Sequence, residues 1–209
     1  QLYVPGLRVS TNPIEGLNIQ LEGAYQTGQV YNAGRLANER RNAYAFQGIV
    51  NYALPVLKDM KPVLGAAYKY LSGAKDRSNG GVGGTPVKLG KAWDAMFENQ
   101  DTGRIYNAKG LVSSDAQLAT LSLELTPIQD LTAQLSLNGV WKAQKDAYVA
   151  GSTSSSKYLG AEVDLDLTYA YTEDVKFGVS AGHFMTGKNA IEPNNRSATQ
   201  LLSSVAVAF

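Results

Sequence analysis

No cysteine occurs in the 209 residues, and His183 is the only histidine. Neither a thiolate nor a clustered-imidazole site for zinc or redox chemistry can be assembled from such a chain. The missing cysteine is also compatible with an envelope protein, without proving one. No run approaches the roughly 18 consecutive apolar residues that a membrane-spanning helix needs. No basic stretch followed by an apolar one opens the chain, so no signal peptide is visible, and a mature or truncated chain is expected if it is exported at all. An excess of one charge is lacking too: 19 basic and 18 acidic residues leave a formal charge of +1, which gives no reason to expect nucleic acid as a partner. Glycine and tyrosine are plentiful, at 21 and 12 residues against 3 Met, and this leans toward β structure.

Period-two alternation runs through the chain. Leu17, Ile19, Leu21, Gly23 and Tyr25 point one way, and Asn18, Gln20, Glu22 and Ala24 the other. Leu131, Ala133, Leu135, Leu137, Gly139 and Trp141 likewise oppose Thr132, Gln134, Ser136, Asn138 and Lys142. Leu159, Ala161, Val163, Leu165, Leu167, Tyr169 and Tyr171 oppose Glu162, Asp164, Asp166 and Thr168. Similar runs near 2–11, 43–54, 62–72, 116–126, 175–186 and 199–209 bring the expected count to about nine strands. Most have about the 9–11 residues that a tilted strand needs to cross a bilayer. Aromatic residues gather near the strand ends (Tyr44, Phe46, Tyr52, Tyr68, Tyr70, Trp141, Tyr169, Tyr171), which fits the two interfacial girdles of a membrane barrel.

The connections point the same way. Those around 12–16, 56–60, 127–130 and 172–174 are short, and between them lie long polar ones at 28–41, 73–114, 146–157 and 187–198. Short turns on one side and long loops on the other are the pattern of bacterial outer-membrane barrels, with the turns in the periplasm. The expected fold is an all-β, transmembrane antiparallel β-barrel, one domain over 1–209, in the lipid bilayer of the outer membrane with lipopolysaccharide as a neighbour. Nine strands beginning outside leave an odd number unaccounted for upstream, so the chain is expected to be the C-terminal part of a larger barrel.

The last residues, Thr199 to Phe209, alternate and stop on an aromatic. That ending resembles the C-terminal signal by which the barrel-assembly machinery recognises its clients, and Phe209 is its expected contact. Tyr68-Lys69-Tyr70-Leu71-Ser72-Gly73 then leads into a loop holding Lys91-Ala92-Trp93-Asp94-Ala95-Met96-Phe97 and Gly103-Arg104-Ile105-Tyr106. This aromatic strand ending in Ser-Gly, followed by a Trp-Asp-x-x-Phe element, resembles the alginate-export family of outer-membrane porins, roughly over 43–209. The resemblance implies a monomeric barrel of about eighteen strands and passage of small hydrophilic or polysaccharide solutes. It does not fix the solute.

Parity assigns Arg8, Lys69, Lys142 and Lys176 to the lumen as bases, and Glu22, Glu124, Glu162, Asp164 and Asp166 as acids. A pore selecting a polyuronate should present positive charge, whereas this lining is mixed. Further bases stand in the loops, among them Arg35, Arg40, Arg41, Arg77, Lys88 and Lys91. The run Glu162, Asp164, Asp166 reads either as a cation-attracting wall or weak Ca²⁺ site, or as a solvated lumen face with Lys142 and Lys176 as partners. The loop at 73–114 reads as a constriction or as an external cap, with Asp76, Arg77, Trp93, Asp94, Phe97 and Arg104 as its candidate residues. Its Gly80-Gly81-Val82-Gly83-Gly84 lacks the Lys-Ser/Thr of a phosphate cradle. His183 falls on the lipid side and Ser180 on the other, so no hydrolytic pair, catalytic residue, metal or cofactor is expected. The expected function is a passive channel; the alternative is a non-conducting structural or adhesive barrel that binds a partner through its loops.

Overall fold

The structure, a computed structural model, describes residues 1–32, 37–74, 90–96, 103–108, 114–144, 157–187 and 196–208. Ten strand segments form one antiparallel sheet: β1 (Leu2–Tyr3), β2 (Gly6–Ile14), β3 (Leu17–Asn32), β4 (Ala37–Ala53), β5 (Val63–Leu71), β6 (Ala116–Ile128), β7 (Leu131–Lys142), β8 (Tyr158–Ala170), β9 (Val175–Thr186) and β10 (Ala198–Val207). Both β1 and β2 pair with β3, at Thr27–Gly28 and Leu17–Ala24, so they make one crossing interrupted at Val4-Pro5. Proline has no N–H for the ladder, but its carbonyl still accepts from the Tyr25 amide at 2.9 Å. Nine crossings result, as the alternation predicts. Each pairs with its sequence neighbour, and among the described residues the sheet is not closed between β2 and β10.

The sidedness follows from the pleat. One face is apolar and in the open: Leu21, Leu121, Leu137 and Leu201 are 59%, 57%, 49% and 76% exposed. In water so large an apolar surface would promote association, whereas in hydrocarbon it is matched to its solvent. Aromatic rings close both ends of that face. Tyr44 stacks on Tyr70 at 5.6 Å and Phe46 on Tyr70 at 5.3 Å near the loop end, and Tyr171 meets Phe177 edge-on at 5.9 Å near the turn end. The opposite face carries Gln20, Thr120, Ser122, Asn138, Asp164 and Asp166, aligned across neighbouring strands.

Buried packing sits on this polar face, at the loop end. Trp93, Ile105 and Tyr106 come from the long β5–β6 connection and pack over Ala43, Leu71, Leu118, Val140, Leu159 and Phe184. A single helical turn, α1 (Ile105–Ala108), lies within that covering.

Two expectations are corrected here. Most of 28–41, read as a loop, is strand: β3 and β4 run on as a hairpin with only 33–36 between them. Leu159, assigned to the lipid side, is fully buried on the polar face. Val140 pairs with Gly160 while Trp141 pairs with Tyr158, so Leu159 is the extra residue of a bulge and parity changes there. Gly160 makes the bulge possible at φ 155, a backbone conformation that side chains rarely adopt.

On the apolar face the Trp141 ring folds back over Gly139, where a β-carbon would run into it. Gly139→Ala is expected to cost about 1–3 kcal/mol through overpacking and to displace the indole. The emission of Trp141, isolated by replacing Trp93, the other of the two tryptophans, measures this directly.

Candidate functional site

Two pieces of the long connection lie against the polar face, and each is held by a different set of strands. The first spans residues 90–96. Gln26 of β3 clasps the Asp94 backbone from both sides, donating to its carbonyl at 2.6 Å and accepting from its amide at 3.0 Å. Arg41 of β4 pairs with the Asp94 carboxylate at 2.9 Å, while the other oxygen of that carboxylate accepts the Met96 amide at 2.9 Å. Ser72, at the end of β5, donates to the Lys91 carbonyl at 2.9 Å and accepts the Trp93 amide on its own carbonyl at 2.8 Å. Trp93 is thereby pressed onto the sheet, with 6% of its surface exposed.

The second piece is the start of α1, with Arg104 just before it. Its first amides, which no intrahelical carbonyl can satisfy, all reach Glu162 of β8: Arg104 and Ile105 donate to one carboxylate oxygen at 2.6 and 2.7 Å, and Tyr106 to the other at 2.9 Å. Glu162 is fully buried. The Arg104 guanidinium pairs with Asp166, which also accepts from Ser180 at 2.7 Å. Between them Asp164 accepts from Asn138 at 3.0 Å, and Asn138 accepts from Thr120 at 2.8 Å.

The acidic run is therefore engaged by protein donors. The bases expected beside it, Lys142 and Lys176, do not supply them: Glu162 is met by backbone amides and Asp166 by Arg104. Lys142 is buried at the loop end of β7, and Lys176 is exposed near the turn end of β9. Among the described residues no group of three or more His, Cys, Asp or Glu is arranged to hold a metal ion.

The remaining lumen candidates are spread over the same face. Arg8 donates to Gln20 at 2.6 Å; Glu22 and Glu124 are exposed; Lys69 is half-buried. Beneath Trp93 and Met96 lies a cavity of about 360 Å³ lined by Glu22, Gln47, Lys69 and Leu71. Asp76, Arg77 and Phe97 lie outside the described residues, as does Phe209. His183 is exposed on the apolar face, with its Nδ1 2.8 Å from the Thr199 hydroxyl and, among the described residues, no serine paired with it across β10. Gln26 and Asn138 were not singled out as site residues by the sequence, whereas Arg41 stood among the loop bases and Ser72 closed the strand motif that carries the family resemblance. Gln26 falls between the strand read to Tyr25 and the loop read from residue 28, so no pattern marked it, and Asn138 carried only its polar parity.

A family model described as alginate export matches residues 1–203. A solved structure described as "NanC porin structure in rhombohedral crystal form" aligns with 100% of this chain and 94% of that chain, at 15% sequence identity and a TM-score of 0.45. No curated protein matches.

Proposed function

The chain belongs to the alginate export family of bacterial outer-membrane β-barrels, and from that membership we propose that it is a passive channel for small hydrophilic or anionic saccharide-type solutes. The observation that carries the proposal is the polar face of the sheet, covered at its loop end by residues 90–96 and 104–106. A solute entering a water-filled lumen keeps most of its hydration, so width and charge decide what passes. The loops face outward and the short turns the periplasm. The role is non-enzymatic. The barrel-assembly machinery, met through the strand that leads to Phe209, and lipopolysaccharide around the outer rim are its proposed partners.

Arg8, Glu22, Lys69, Glu124, Lys142, Glu162, Asp164, Asp166 and Lys176 are the proposed lining. Their weights differ, because an acid engaged by protein donors contributes little to the field that a passing ion feels. Double replacement of the exposed pair, Glu22→Gln with Glu124→Gln, is expected to move the reversal potential toward anion selectivity, by part of the roughly 59 mV that perfect selectivity gives in a tenfold salt gradient. Asp164→Asn should move it less. Single-channel recording of the full-length protein in a planar bilayer tests both: stable open steps support the channel, and equal shifts would discard the ranking. The second reading, a non-conducting adhesive barrel, gains from the same inward-folded loop, and a folded but persistently silent protein would select it.

A further inference from the structure

On the lipid-facing side of the sheet, just above the Tyr44–Tyr70 stack, the strand ends open into a notch. It is a cavity of about 220 Å³ lined by Asn42, Tyr44, Tyr70, Ser72, Lys91 and Gln144. One cation, Lys91, lines it, and a second, Arg40, stands two residues along β4 from the lining Asn42. Arg40 shares the outward parity of Asn42 and Tyr44 on β4, and Lys91 sits where Gly90 is fastened to that strand by the bond from the Asn42 amide to the Gly90 carbonyl, at 2.6 Å. Both Arg40 and Lys91 are exposed.

Among the described residues the exposed charges differ between the two ends of the strands. The most exposed charged residues described at the loop end, Arg40, Lys91, Lys157 and Arg196, are basic, while Glu39 is half-buried and Asp94 is paired with Arg41. At the turn end Glu15, Asp59, Asp130, Glu173 and Asp174 outnumber Lys58, Lys61 and Lys176. A basic rim above an aromatic girdle suits a leaflet whose headgroups are anionic, because rings hold the interfacial level and cations meet phosphate. Resting on the outer-membrane reading above, we propose that this notch seats the phosphate of a phosphorylated glycolipid headgroup in the outer leaflet. Arg40 and Lys91 bind the anion, and the stacked Tyr44 and Tyr70 rings support the sugar to which it is attached.

The test takes full-length protein from phosphatidylcholine vesicles containing a minor fraction of bisphosphorylated lipid A, and counts by native mass spectrometry the lipid A that stays bound. The Arg40→Gln, Lys91→Gln double variant is expected to retain it about tenfold less well, as befits the loss of charge-assisted contacts. A turn-end control, Lys58→Gln with Lys61→Gln, should retain it like the parent. Equal retention by the notch variant overturns the proposal. Displacement of lipid A by millimolar inorganic phosphate also overturns it, in favour of a free-anion site. Conductance is recorded separately on the parent protein. A conducting channel that does not retain lipid A removes the seat and spares the channel, whereas a silent barrel that retains it does the reverse.

Discussion

Replacing Glu162 with Ala is expected to open the channel and weaken the fold together. The carboxylate is fully buried and receives three backbone amides, those of Arg104, Ile105 and Tyr106. Its removal leaves these donors without their partner beneath Tyr106 and Phe184, whose rings lie 6.4 Å apart. Breaking a buried, charge-assisted set of this kind costs about 3–5 kcal/mol. The nearby Arg104–Asp166 pair cannot hold the turn alone. Its side chains are 32% and 25% exposed, so solvent screens it, and a contribution of about 1 kcal/mol is the reasonable scale. With that mooring lost, the segment leaves the polar face and single-channel conductance should at least roughly double, because ion flow scales with the open cross-section. Glu162→Gln, which keeps the volume and one acceptor, should fall between. A folded Glu162→Ala barrel with parental conductance would show that residues 103–108 do not narrow the passage.

The second large effect concerns the opposite face. Leu137 lies in the middle of β7, points outward and is 49% exposed. Leu137→Arg should lower the stability of the bilayer-inserted protein by about 2–4 kcal/mol, the depth-dependent cost of a cation held in hydrocarbon. Gln134→Arg, three residues away on the polar face opposite Glu124 and Asp166, should change stability by less than about 1 kcal/mol. Denaturant titration in phospholipid vesicles measures both, and equal losses would contradict the assignment of the two faces.

That assignment was legible from residues alone wherever lipid meets one side of a strand and water the other, as in β7. The requirement acts on every second residue, so it writes itself into the sequence. It lapses beyond the membrane. The outer parts of β3 and β4 carry no such alternation and were read as loop although they are strand, with Arg41 buried there under the Asp94 segment. Leu159 was misplaced for a local reason: one extra residue before Gly160 reverses parity without altering composition. The engagement of Glu162 was out of reach altogether. Its partners are backbone amides, which every residue type offers equally, and they lie 56–58 residues away. The sequence could mark the acid as inward-facing but not what it would meet there.

Those separations bear on how the molecule comes together. Asp94 binds back to Gln26 and Arg41, 68 and 53 residues earlier, while 104–106 bind forward to Glu162. The segment therefore cannot seat itself when it is made; it waits for strands laid down on either side of it. Contacts spanning such lengths of chain form late, after local hairpins have zipped together. If that segment narrows the passage as proposed, it does so only once β8 has joined, and a barrel halted earlier is expected to leak more than the finished one.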